Sequence, residues 1–500
     1  MELTQAGSER RSVGTLRFRR NGGAWPTAAV AAAALALAGC DGIEWGRVHQ
    51  PDGVHARHVV LLVLDTVRAD RMSLYGHHRP TTPFLDQLAG SSVVFDRAKS
   101  PAPWTVPSHA SMFTGLWPSR HEAQWGRFVL DEKHLTLAEL LAARGFHTVG
   151  LSANTFVSRD TGFAQGFRQF GNPTVAFHDR SEEILRALPT VFDLERRNFV
   201  FLNFLDAHIP YNTRRYGAEY GVLRPGGPVR DADVKWQISA GARPFTDEEK
   251  DQHGRAYDAA IRYVDDLVAA VVEQLEQLGV LDETLLIVTS DHGDGLGEHQ
   301  IIGHTASTWE EQLAVPLLLR LPAAFPAARL ADLVSTTAVA ATAVDALGLP
   351  RPAGWDDFPS LYGISAGTAE APDPPQTPVL ADYRSYFSED ARAMNAQVEL
   401  DHPQLAAQVH HTHVLYCDRT KLAVRPEGMP TLFDLAADPT EQSDLWSAED
   451  PLARRCFSHY RRLLGAGLFT DFDAVVTQEQ RDAAAAARNE EELRALGYIN

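Results

Sequence analysis

The chain has 500 residues, of which 44% are hydrophobic and 22% charged, and carries a formal net charge of −19. This length exceeds one compact domain, and the apolar share supports a large core, so a catalytic domain with a smaller companion is expected. The negative balance excludes a nucleic-acid partner, because phosphate backbones require basic stripes; an anionic substrate has to be met locally, by a metal ion or by Arg.

Taken in chain order, the first signal is N-terminal. Arg10, Arg11, Arg17, Arg19 and Arg20 precede an Ala-rich apolar run, roughly residues 24–39, that is short for a membrane span and ends in "LAGC" at Cys40. This resembles a bacterial lipoprotein signal over residues 1–39, with Cys40 as the lipidated first residue of an exported protein anchored to the periplasmic side of a membrane. A plain secretory signal or a short anchor is the alternative. Residues 40–57 read as a tether. Beyond Cys40 only Cys417 and Cys456 remain. They form either one disulfide in an oxidising compartment or two core thiols.

Four short, nearly continuous apolar runs follow, each ending in polar groups: His58–Thr66, Phe146–Thr155, Asn198–His208 and Thr284–Asp294. Runs of this length predict buried parallel strands. Between them, Leu135–Gly145 and Tyr257–Gly279 carry helical spacing and Gly stops. Strands alternating with helices predict an open, mostly parallel α/β sheet, with ligands bound beyond the carboxyl ends of its strands. Asp65, Asp206, Asp291 and His292 fall there. Asp258 and Asp265, on the second helix, read as solvated or capping charges, and Tyr211 as packing.

A Pro/Gly-rich stretch, residues 351–378, separates an expected catalytic domain, 58–350, from a C-terminal subdomain, 379–500. In the latter, His411–Cys417 and Thr420–Pro426 predict an antiparallel sheet, and Glu479–Leu496 a helix. His410, His411 and His413 are read as strand alternation rather than as a metal site.

Asp65, Asp291 and His292 together point to one divalent metal ion. Carboxylate plus imidazole suits Zn²⁺ or Mn²⁺ better than Ca²⁺ or Mg²⁺. The stretch "TVPSHASMFTG", Thr105–Gly115, opens a helix. Thr105 has two readings: a helix cap, or a nucleophile whose hydroxyl attacks phosphorus or sulfur. His109 could contact substrate, Arg68 could brace its loop or reach the anion, and Ser108 reads as a helix-face residue. Residues of about 212–250 could form a lid that selects the substrate. Asp206, His208 and His304 offer a less supported second metal site.

The segments Leu61–Ala89, Thr105–His121, Leu205–Tyr211, Ser290–His299 and Thr431–Leu445, with the chain end "LRALGYIN", resemble the sulfatase family of the alkaline phosphatase superfamily. The resemblance implies a three-layer α/β/α sandwich with a small C-terminal α+β subdomain, and metal-dependent hydrolysis or transfer of sulfate or phosphate esters. It places Asp65, Asp291 and His292 as metal ligands, Thr105 at the nucleophile position, and His208 and His304 at substrate-facing or acid/base positions. It also implies departures. Thr105 stands where the well-known sulfatases have the Cys or Ser converted to formylglycine, His109 where they have Arg, and Thr66 where many have a second Asp. At these positions the chain is more similar to phosphoethanolamine and phosphoglycerol transferases. The expected function is therefore a metal-dependent hydrolase acting through a covalent Thr intermediate. A phosphoryl-group transferase or a non-catalytic, lipid-tethered binding protein is the alternative.

Overall fold

The computed structural model describes residues 55–469 apart from 126, 231, 240–242, 305–306, 356–357, 366, 368–378, 384–410, 418 and 426–428. Cys40, nearly all of the tether, much of the 351–378 connection, His410 and the Glu479–Leu496 helix lie outside the described residues. No helix among the described residues is long and apolar enough to cross a membrane.

The strands of the large region are β1 (His58–Leu64), β2 (Val93–Lys99), β3 (His147–Ser152), β4 (Gln169–Gly171), β5 (Asn198–Phe204), β6 (Thr284–Thr289), β7 (Gly295–Leu296), β8 (Ile302–Gly303), β9 (Leu317–Arg320) and β10 (Ala328–Ser335). Eight of them form one sheet in the order β10-β2-β9-β6-β1-β5-β3-β4. Every pairing in it is parallel except those of β9 with β2 and β6. All seven residues of β1 are buried, because helices cover both faces.

The alternation of side chains along β1 divides the core. Val59, Leu61 and Val63 face a layer holding α1 (Thr105–Thr114), α2 (Leu137–Ala143) and a later helix, Val339–Ala346. Val60, Leu62 and Leu64 face the opposite layer, with α3 (Arg180–Val191) and the long helix Asp247–Gln277. A further helix, α4 (Ala232–Ser239), lies beside β8, and the long helix that follows it is α5.

The four predicted strands are found at β1, β3, β5 and β6, and each is shorter than its apolar run because the polar ends leave the ladder. The helix predicted from Tyr257 begins ten residues earlier, at Asp247, where Thr246 and Glu249 form a capping box. Those first turns are polar and carry no apolar stripe, so periodicity alone missed them. Asp258 and Asp265 are not solvated. Asp258 is buried against Arg71, His77 and Arg79, and Asp265 accepts the amides of Phe84 and Leu85.

The C-terminal part is an antiparallel sheet of β11 (Val379–Tyr383), β12 (Thr412–Cys417), β13 (Thr420–Val424) and β14 (Thr431–Asp434), with the helix Pro451–Gly465 packed on it. Cys417 and Cys456 are joined as a disulfide between β12 and that helix. His413 bonds the Tyr460 hydroxyl and stacks on Phe469. Lys421 lies 2.8 Å from Glu441 and 3.4 Å from Glu310, and Glu310 also pairs with Lys99. This buried charge network ties the small sheet to the large one.

Candidate metal and ester-transfer site

The site follows from the register. β1 lies between β5 and β6, parallel to both, with Leu64 beside Phe204 and Val63 beside Thr289. The residues after these strands therefore emerge on one edge of the sheet. Asp65 extends the ladder by one bond to the Phe204 carbonyl. Thr66 then turns sharply, at φ 63°. A β-branched residue is strained there, yet the turn directs the Thr66 amide to Asp291 Oδ1, 3.1 Å away.

Each aspartate has one oxygen occupied and one left over. Asp291 Oδ1 accepts the amides of Thr66 and His292, while Oδ2 is buried with no hydrogen-bond partner. Asp65 Oδ2 accepts from Asn154 Nδ2 at 2.8 Å and Asn203 Nδ2 at 3.3 Å, while Oδ1 is buried with no partner. His292 Nδ1 donates to the Gly293 carbonyl, so its lone pair is on Nε2, which lies 3.3 Å from Asp291 Oδ2. One ligand atom each from Asp65, Asp291 and His292 lies within 4.8 Å of the others, all buried. Two orphaned carboxylate oxygens and an imidazole lone pair facing one another are the donor set a divalent cation requires, so the residues present fit a metal ion.

Without a cation the set resists its own charge. Burial, and for Asp65 also the Asp291 charge, push these carboxyls up to about 8 and about 7 respectively. Burial lowers His292 to about 4 and keeps the ring neutral, as a ligand needs.

Thr105 is the first residue of α1, but Trp104 holds the cap position. The Thr105 hydroxyl instead lies 3.4 Å from His292 Nε2 and 3.4 Å from Asn154 Nδ2, fully buried. The helix stops at Gly115, at φ 71°, where a side chain would strike Phe358. Ser108 is more than a helix-face residue: its hydroxyl donates to the Asp291 carbonyl at 2.6 Å, binding α1 to the β6 edge.

The other predicted residues divide into two groups. His208 and His304 are brought to the site. Their rings are 4.9 Å apart, and His304 lies 4.4 Å from the His292 ring. His304 Nδ1 is held by Asp294 Oδ1 at 2.8 Å, and Asp294 Oδ2 accepts the Tyr211 hydroxyl at 2.9 Å, so Tyr211 does more than pack. Arg68 and His109 are each held by other groups, although His109 Nδ1 also lies 3.6 Å from Asp291 Oδ2. The Arg68 guanidinium is spent on both Asp70 oxygens, Glu298 and the Asp294 carbonyl, the bracing geometry of its two readings. His109 donates Nδ1 to the Thr105 carbonyl within α1 and is enclosed by Phe113, Phe163 and Phe201; burial lowers it to about 3. Asp206 is held by Asn212 and stands outside the metal-type cluster. Asn154, Asn203 and Asp294 are the residues that sequence reasoning missed. The two Asn end apolar strands already recognised, and Asp294 lies inside the "SDHGDGLGEH" segment.

A family model described as Sulfatase matches residues 57–349. Arylsulfatase K of Bos taurus is 24% identical over 484 residues, covering 83% of this chain and 83% of its own. Choline-sulfatase of Rhizobium meliloti (strain 1021) is 25% identical over 460 residues, covering 80% and 84%. Among solved structures, the phosphonate monoester hydrolase of Agrobacterium radiobacter superposes with a TM-score of 0.64 at 20% identity, over 82% of this chain and 95% of that one. The family match spans the strands, the metal-type cluster and α1 together: the chain belongs to the sulfatase family.

Proposed function

We propose that this protein cleaves an anionic sulfate or phosphate ester by passing the sulfuryl or phosphoryl group through Thr105. The carrying observation is the Thr105 hydroxyl, buried 3.4 Å from His292 Nε2 at the mouth of the Asp65–Asp291–His292 cluster. A divalent cation held by those three residues, Zn²⁺ or Mn²⁺ by donor type, would supply positive charge that lowers the pKa of a nearby hydroxyl and offsets the charge of the ester. The rest follows from the chain's own groups. Thr105 Oγ1 bonds to sulfur or phosphorus as the ester oxygen leaves. The hydroxyl proton passes to an imidazole of the cluster, His304 or His208, and from there to the departing oxygen. His304 suits this role because Asp294 fixes Nδ1 as the donor and leaves Nε2 as the acceptor nitrogen. In the second half, water bonds to the same sulfur or phosphorus and Thr105 Oγ1 leaves, recovering its proton through the same ring. An acceptor alcohol in place of water would make the protein a transferase.

The test is a pair of substitutions assayed with Zn²⁺ or Mn²⁺ on aryl sulfate, phosphate monoester, phosphate diester and phosphonate monoester substrates. Thr105→Ser keeps turnover and Thr105→Ala abolishes it, and mass spectrometry of the wild type during turnover finds the adduct on Thr105. Loss of a mere cap would cost only about 1 kcal/mol of stability. Turnover that persists in Thr105→Ala, with a lowered melting temperature, sinks the nucleophile; a wild type that binds no metal and turns over no ester favours a binding protein. We further propose export and lipid anchoring through Cys40, supported by the basic region and apolar run before it. Cys40→Ser should move the protein from membrane to soluble fractions, and unchanged retention would refute the anchor.

A further inference from the structure

We propose that Lys235, on α4, binds the negatively charged group of the substrate and sets which anions the site accepts. This rests on the reading of the site as an ester-transfer centre and adds a residue that no motif in the sequence marks. The placement is geometric. α4 lies beside β8, whose last residue, Gly303, precedes His304. A methyl group placed on Gly303 would come within 2.6 Å of Lys235 Nζ and 2.8 Å of its Cε, so the ammonium lies against the α-carbon next to His304. Gly303, at φ 81°, thus allows both the turn and the close approach of the lysine.

The charge at this position is uncommitted. Among the described residues no carboxylate lies within 4.0 Å of Lys235 Nζ, whereas Arg68, the cation on the other side of the Asp294 loop, is neutralised by Asp70 and Glu298. The field of Lys235 nevertheless reaches the rings of His208, His292 and His304 and the Asp294 carboxyl. A half-buried ammonium with no carboxylate in direct contact, Asp294 acting on it only at longer range, costs free energy in the unliganded protein. An anionic ester docked beside His304 removes that cost.

Lys235→Met and Lys235→Arg, each with the wild type, are compared in steady-state turnover of an aryl sulfate and an aryl phosphate, in inhibition by inorganic phosphate, and in calorimetric binding of inorganic phosphate and sulfate with Mn²⁺ present. The expected result for Lys235→Met is a KM raised about tenfold or more with kcat little changed, the size of one lost charged hydrogen bond. Inhibition by phosphate should weaken in parallel, and Lys235→Arg should recover most of both. An unchanged KM and unchanged phosphate inhibition in Lys235→Met overturn the assignment, as does a melting temperature that falls while KM stays put, which would make Lys235 a packing residue. A wild type that turns over no ester overturns the ester-transfer reading, and the calorimetric arm then decides on Lys235 separately. Phosphate or sulfate bound by the wild type and lost in Lys235→Met supports it; equal binding, or none by either protein, refutes it.

Discussion

Asp294 Oδ1 holds His304 Nδ1 at 2.8 Å, and the other Asp294 oxygen is occupied by the Tyr211 hydroxyl. The imidazole nearest the His292 ring is thus fixed in tautomer and in plane by a carboxylate two residues beyond the metal-type pair. Asp294→Asn keeps the shape but can offer Nδ1 an N–H in place of an acceptor. The expected outcome is a loss of about 10²- to 10⁴-fold in kcat, with KM nearly unchanged, since the ring would be held in the wrong tautomer. Steady-state kinetics on the best ester substrate measure it; a kcat within a few-fold of wild type would remove His304 from proton transfer.

Asn154 bridges the two halves of the site. Its amide donates to Asp65 Oδ2 and lies 3.4 Å from the Thr105 hydroxyl. Asn154→Ala leaves Asp65 oriented by Asn203 alone, at 3.3 Å. Affinity for Mn²⁺ or Zn²⁺ should fall by about 10- to 100-fold, the usual cost of losing an outer partner of a ligand. A calorimetric metal titration checks this without any turnover assay.

The raised carboxyls give the metal-free protein a pH signature with a defined sign. Asp65 and Asp291 are lifted to about 8 and about 7 in the folded chain, above their unfolded values near 4. A group raised in this way contributes stability fully present below its unfolded pKa and lost as pH rises through its folded one. The chelator-treated protein should therefore lose stability between about pH 4 and pH 8. Metal requires both carboxyls ionised, so the gap in melting temperature between metal-loaded and chelator-treated protein should widen over the same interval. Melting curves at a series of pH values test this; a gap that narrows with pH would contradict the cluster as the metal site.

Particular residues show how much was legible beforehand. The strands β1, β3, β5 and β6 were readable because buried parallel strands leave unbroken apolar runs. β2, with its exposed Asp96, and the four-residue β9 leave no such run. Asp258 was misread for a related reason: helical spacing marks the apolar stripe and says nothing about polar residues buried on salt bridges; Asp265 does cap, taking the first-turn amides of the Pro83–Leu88 helix. Thr105 was open in sequence, since a first-turn Thr suits a cap and a nucleophile alike; the placement of Trp104 at the cap position removes the cap reading, and the hydroxyl beside His292 is what the proposed nucleophile rests on.

What the sequence determined by itself was the alternation of strand and helix, the sheet edge on which Asp65, Asp291 and His292 emerge, and the family, because these are written in contiguous segments whose periodicity and order survive without coordinates. What only the tertiary structure decided was the partnership of groups far apart in the chain. Asn154 and Asn203 meet Asp65, Arg68 is spent on Asp70 and Glu298, and Lys235 reaches Gly303 from another element. Side-chain direction and burial fix which oxygen is satisfied and which charge is left over, and both are set by packing between elements rather than by any local pattern.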